Sequence, residues 1–297
     1  MDKSKLKDIT RNFRDLPTLP GIALQISDMM NNPNVSASDL AKLISADQSL
    51  TMRILKVANS AYYGFPRKIG TITLAVVVLG FDALKSLTLS MTILDHLKKW
   101  GGADGFDFNE FWRHSIYTAI IARFLSRQTG YKVAGEAFVT GLIHDVGKLV
   151  ISQKFPEQFA EILETASGNG RKVYEIENEI LGADHAELGS WLVDNWNLPG
   201  YMSEAVAYHH HPEKAAIEIK LSALVNTANR FALDFGAEKW AETYKDDFNP
   251  YAWNVLKMRN STNGGPDEKY YRSMIEHELE KADSFVQVLN TEGEAVR

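Results

Sequence analysis

Six residues of metal-binding type stand at the ends of apolar segments between positions 114 and 210. His144 and Asp145 are adjacent in GLIHDVGKLV, where Gly147 is expected to stop a helix and aim both side chains off its tip. An imidazole beside a carboxylate suits a divalent cation, because the imidazole gives one bond and the carboxylate can bridge two ions. His185 follows Asp184 at the expected start of a helix, ADHAELGSWL, and His209-His210-His211 closes a segment that Pro212 cannot continue. His114 lies four residues after Glu110 in NEFWRHS, which puts both on one face of a helix. These are imidazole and carboxylate donors without sulfur, a set that suits Fe, Mn, Zn, Co or Ni. The chain has no cysteine, which removes thiolate ligands, Cys nucleophiles and thiol redox chemistry. An ion held this way polarises a phosphoryl oxygen and acidifies water. Lys148, one turn from His144, can meet a phosphate as a point charge.

Each piece also has a plainer meaning. His-Asp pairs are common by chance, histidines favour the negative ends of helices, and a single lysine is most often a surface residue. The metal reading rests on the gathering of five histidines and one aspartate at helix ends within one stretch of chain.

Helical signals dominate the elements that must position these groups. Ser36 and Asp39 form a capping box ahead of Leu40, Leu43 and Ile44, and Asp47 caps a segment with apolar positions Leu50, Ile54, Val57 and Ala61. Leu84, Leu87, Met91 and Leu94 form the same stripe, as do Phe111, Ile116, Ile120 and Phe124 in a helix starting near Asn109. The run Leu74–Leu79 (LAVVVL) reads as a buried helix, since nothing offers it a partner strand. The polar, glycine-rich 100–109 stretch divides two helical lobes, and RNSTNGGP (259–266) precedes a last amphipathic helix, Asp267–Leu289. The expected fold is all-α, with an N-terminal lobe over residues 1–100, a second lobe over 109–235 and a C-terminal helical extension over 236–297.

With 45% hydrophobic and 24% charged residues in 297, the composition is that of a soluble globular protein. A net charge of −6 argues against a nucleic-acid partner. The apolar stretch Ile72–Leu94 carries Asp82 and Lys85 near its middle and is broken at Gly80, which argues against a membrane span. The charged N-terminus has no apolar core of a signal peptide, so a cytoplasmic location is expected.

Longer motifs carry a family resemblance. DLPTLPGIALQI followed by LISADQSLTMRILKVANSAYYGFPRKIGTITLAVVVLGFDALKSLTL resembles the N-terminal half of an HDOD domain, an HD-related output domain of bacterial signalling proteins. GLIHDVGKLVI and GADHAELGSWLVDNWNLPGYMSEAVAYHHHPE resemble its second half, and the whole spans roughly residues 12–232. The resemblance implies that the second lobe is an HD-superfamily-like helical bundle. It implies His114, His144, Asp145, His185, His209 and His210 as metal ligands, with Glu110 as an additional acidic one. Asp145 and Lys148 would be the catalytic pair if the site turns over, Lys148 matching a lysine that contacts substrate phosphate. One or two divalent ions are expected, Fe or Mn ahead of Zn or Ni.

Two departures stand out. The superfamily's final metal-binding aspartate is matched by Asn229 in LVNTANRFA, and no GYP element follows His209–His211. The leading expectation is therefore a bacterial regulatory HDOD protein that binds metal and acts through a signalling partner or a nucleotide ligand. The alternative is a metal-dependent phosphohydrolase acting on a nucleotide or cyclic dinucleotide. The aromatic loop 59–68 (NSAYYGFPRK) is either an interface, through Tyr62, Tyr63 and Phe65, or packing between helices.

Overall fold

Short polar side chains set the starts of the first helices. The computed structural model describes residues 17–32, 34–100, 106–167, 170–236, 248–262 and 264–290. After α1 (Gly21–Asn31), Ser36 and Asp39 form the expected reciprocal box at the start of α2 (Ala37–Ser45), each backbone N–H bonding the other's side chain at 3.2 Å. Asp47 accepts from the Leu50 N–H at 2.9 Å to open α3 (Gln48–Ala58), and Thr71 opens α4 (Ile72–Leu79) in the same way. Helix α3 stops three residues short of Ala61. Asn59 ends it by donating to the Leu55 and Ile69 carbonyls and accepting from the Ile69 N–H, which staples the following loop.

Helix α4 is the LAVVVL segment. It is helical as expected, but it is not buried: Leu74 is 41% and Val77 76% exposed. Ile72, Ala75 and Val76 are buried and Val78 and Leu79 pack partly against the core, while Leu74 and Val77 lie on the far side. Gly80, at φ +88°, then turns the chain through 118° into α5 (Phe81–Trp100). Among the described residues no single helix is long and apolar enough to cross a membrane.

The second lobe is built around α6 (Phe108–Gln128), whose Ile116, Ala119, Ile120 and Leu125 are fully buried. Asp107 caps it through the Glu110 N–H at 3.0 Å. Against it pack α7 (Ala134–Ile143), α13 (Ile219–Phe235) and α15 (Glu268–Asn290). Between them run α8 (Val146–Lys154), α9 (Pro156–Ala166), α10 (Val173–Leu181), α11 (His185–Asn195), α12 (Gly200–Ala207) and a 3₁₀ turn at Pro212–Lys214, with α14 (Pro250–Val255) preceding the last helix. Among the described residues there is no strand, only an isolated bridge between Asn260 and Pro266.

One continuous apolar core runs through all three stretches of chain. The Trp196 indole, 1% exposed, donates to the Pro17 carbonyl at 2.7 Å, and Ser27 on α1 donates to the Asn197 carbonyl at 2.6 Å. Helix α15 lies across α3 and α6, with the fully buried Phe285 stacked on Tyr62 at 5.1 Å and edge-on to Phe138. The buried Arg123 of α6 donates to the Tyr63 hydroxyl at 2.9 Å and lies over the faces of both Tyr62 and Tyr63. Two of the three loop aromatics are therefore spent on packing between helices, and Phe65, 38% exposed, stays at the surface.

Candidate metal centre

The centre forms where four helix ends meet. Helix α7 ends at Ile143, His144 is its C-cap, Asp145 is the N-cap of α8, and Gly147 lies inside the first turn of α8. Gly147 thus does not stop the helix as its position suggested. Its role is steric, because a Cβ there would stand 1.9 Å from the His185 carbonyl oxygen and 2.8 Å from the Gly189 nitrogen. Only glycine lets the start of α8 press on the start of α11, and that contact brings Asp145 to His185. Asp184 caps α11 as expected, accepting from the Glu187 N–H at 2.9 Å, which leaves His185 as its first residue.

Imidazoles from four separate stretches converge on the Asp145 carboxylate, itself 1% exposed. Oδ2 is faced by His144 Nε2 at 3.4 Å and His114 Nε2 at 3.7 Å, and Oδ1 by His185 Nε2 at 3.1 Å and His209 Nε2 at 3.6 Å. His210 joins the second group, with its Nε2 2.9 Å from that of His185. The structure brings together all six expected ligands, as two clusters: His114, His144 and Asp145, and His185, His209 and His210. Lys148 reaches the same carboxylate, its Nζ 2.6 Å from Oδ2.

The rings are held from behind. His144 Nδ1 is 2.8 Å from the Gly141 carbonyl and His209 Nδ1 is 2.7 Å from that of Val206. A carbonyl only accepts, so each Nδ1 carries the proton and each Nε2 presents its lone pair to the centre. His185 Nδ1 is tied instead to Glu177 Oε2 at 2.6 Å, an oxygen that also accepts the His185 backbone N–H at 2.8 Å. Glu177, 2% exposed, had no signal in the sequence beyond an acid eight residues before a histidine. Asn226, which donates to the His209 carbonyl at 2.7 Å, and Tyr174, stacked on His210 at 4.3 Å, were equally silent.

Electrostatics follow from burial and these neighbours. Burial pushes His144 down to about 4, against the pull of Asp145. Burial and His144 hold His209 well below the usual histidine range, and burial with His209 does the same to His210. These three rings stay neutral, the form that ligates. Burial opposes charge on Asp145 too, but Lys148 and His185 outweigh it and keep the carboxyl ionised well below its ordinary value. His185 is also opposed by burial, yet Glu177 and Asp145 raise it to about 10.

A divalent cation fits this donor set. The Nε2 atoms of His144 and His209 are buried without a hydrogen-bond partner, a state that costs about 1–3 kcal/mol for each group. A cation between them and the carboxylate removes that cost. One expected contributor stands outside the clusters. Glu110 is half-buried and lines a separate cavity of about 580 Å³ with Lys98, Arg113 and Tyr117. Asn229 is half-buried on α13, and it is Asn226, one turn earlier, that touches the site.

The chain is 28% identical over 228 residues to an uncharacterized protein of Treponema pallidum (strain Nichols), covering 75% of this chain and 44% of that protein. It thus spans less than half the length of that curated relative. An HDOD domain protein of unknown function from Geobacter sulfurreducens is 27% identical, with a TM-score of 0.74 over 98% of this chain and 97% of that one. A Shewanella amazonensis protein, 24% identical over 96% of this chain and 98% of its own, shares the fold at a TM-score of 0.73. Residues 16–212, with α1 at one end and the histidine run at the other, match the HDOD domain, and the chain belongs to that family.

Proposed function

We propose that this HDOD protein is a regulatory module that binds a divalent cation at Asp145 and couples its occupancy to contacts with a phosphorylated ligand or a protein partner. One observation carries the reading: a single buried carboxylate has imidazoles facing each of its two oxygens. His185, His209, His210 and Oδ1 would hold an ion on one side, and His114 and His144 face Oδ2 on the other. The donor set accepts Fe, Mn, Zn, Co or Ni, and the resemblance to the HD superfamily puts Fe or Mn ahead of Zn or Ni. When bound, the ion supplies Lewis acidity toward a phosphoryl oxygen and acidifies water.

The rest is done by this chain's own groups. Glu177 fixes the His185 ring, and burial keeps His144, His209 and His210 in their ligating form. Lys148 and His210 are the members of the centre that reach toward solvent, so a phosphate would approach on their side, where the ammonium offsets its charge. Helix α6 carries His114 on the centre and, further along, Arg123 on Tyr62 and Tyr63 of the N-terminal lobe. An ion that prefers one placement of α6 therefore biases how the lobes meet.

A phosphohydrolase acting on a nucleotide or cyclic dinucleotide is the second reading, favoured by a lysine beside a carboxylate with imidazoles on both sides. Asn229 in place of the aspartate and the missing GYP element weigh toward regulation. The test is elemental analysis of protein purified anaerobically without chelator or histidine tag, beside His144→Ala and Asp145→Ala. Metal in the wild type, lost in both folded variants, supports the centre. No metal after reconstitution ends both readings. Hydrolysis of cyclic di-GMP or p-nitrophenyl phosphate, lost in Asp145→Ala, moves the conclusion to the enzyme.

A further inference from the structure

The two sides of Asp145 are not equivalent. On the Oδ2 side the protein offers two imidazoles, from His114 and His144, and on that same oxygen stands the Lys148 ammonium at 2.6 Å. Lys148 comes from the first turn of α8, three residues after the carboxylate, and its side chain is only 16% exposed. On the Oδ1 side three imidazoles gather, from His185, His209 and His210. Helix α13 meets the centre through an amide, Asn226, which donates to the His209 carbonyl.

Charge and donor count point the same way. A divalent ion at Oδ2 meets a positive charge already in place, and repulsion between close cations is strong where water is excluded. It would have two imidazoles and a shared oxygen to hold it. An ion at Oδ1 has three imidazoles gathered in one cluster, two of which face that oxygen. The second histidine–carboxylate contact supporting that side, Glu177 on His185, has no counterpart behind His144, whose Nδ1 rests on a backbone carbonyl.

We infer that the centre is mononuclear: one divalent ion is held tightly by Asp145, His185, His209 and His210, while the Lys148 ammonium takes the place of a second cation on the His114–His144 side. The inference rests on the metal-binding reading above and sharpens it. A single ion beside a lysine is suited to holding a phosphate group, and the two-ion clamp used for in-line displacement is not assembled.

The test uses the full chain, stripped with chelator and reloaded with Mn²⁺. Bound metal is counted by elemental analysis after gel filtration, affinity is measured calorimetrically, and the EPR spectrum is recorded. One tight equivalent with the hyperfine sextet of an isolated Mn²⁺ ion is expected. His210→Gln should weaken it roughly 100-fold, toward the upper end for loss of groups that orient or supply a metal ligand. His114→Gln should change it by no more than about threefold, and Lys148→Met should add a second tight equivalent with a spin-coupled spectrum. Thermal melts of each variant establish that it is folded. Two tight equivalents in the wild type, or equal losses in His114→Gln and His210→Gln, would overturn the inference and leave the metal-binding reading standing. No tight Mn²⁺ in the wild type would remove both.

Discussion

Replacing Gly147 by alanine is the most direct way to ask whether one close helix contact assembles the centre. The added methyl carbon would lie 1.9 Å from the His185 carbonyl oxygen, where side-chain carbons do not approach closer than 3.0 Å. The starts of α8 and α11 must therefore part by at least about 1.1 Å, and the obstacle is backbone that cannot rotate aside. Asp145 rides on α8 and His185 on α11, and their 3.1 Å contact opens with that shift. Metal sites tolerate ligand displacements of about 0.2 Å, so affinity should fall by about 100-fold or more. Two terms compete in stability. Alanine is the better helix former by about 1 kcal/mol, whereas overpacking costs typically 1–3 kcal/mol and occasionally more. With a clash against backbone, overpacking wins by about 1–2 kcal/mol. For a large domain that lowers Tm by roughly 2–8 °C. Calorimetric Mn²⁺ titration and a thermal melt of the metal-free protein read the two effects separately. A Gly147→Ala protein with wild-type affinity and Tm would refute the argument, since the helices would then have room the contact denies them.

Other substitutions probe neighbouring parts. Glu177→Ala should lower metal affinity about 10–100-fold with helix content retained, and Glu177→Gln should restore part of it, because the amide oxygen can still accept from His185. Phe285→Ala empties a fully buried ring site against Tyr62 and Phe138 and should cost about 3–5 kcal/mol, read as a fall in the urea midpoint, with metal stoichiometry unchanged. In the metal-free protein, stability should peak near pH 6.5. From 6.5 down to about 4 the unfolded chain binds a proton that folded His144 refuses, so stability falls as pH falls. From 6.5 up toward 10 the folded chain keeps a His185 proton that the unfolded chain releases, so stability falls as pH rises. Urea midpoints across this range check the shape, and Mn²⁺ should abolish the alkaline limb, since a ligated His185 has no such proton to lose.

The parts of the structure that announced themselves in the sequence were local. Ser36 with Asp39, and Asp47, act within three residues, and each caps the helix it was expected to cap. The six candidate ligands were legible because imidazoles and a carboxylate gather within one stretch of chain and because the flanking motifs resemble HDOD. What stayed hidden depends on residues distant in sequence. Glu177 becomes part of the centre only when α10 folds back to place it behind His185. Gly147 read as a helix stop because glycine usually punctuates, and its true constraint, the His185 carbonyl, lies 38 positions away on another helix. Leu74 and Val77 were assigned to the core by composition alone, but an eight-residue helix packed along one side leaves its far side in water.

The Trp196–Pro17 hydrogen bond joins positions 179 residues apart, and with it α1 closes on the α11–α12 turn of the other lobe. Contacts of that span are late rewards in folding, since the chain between them must be ordered first. Helix α1 is therefore among the last described elements to find its place, and until it docks, Ile26 and Trp196 lack that cover. The same connectivity makes a cut at 100–109 poor dissection: each half would carry away a face completed only by the other.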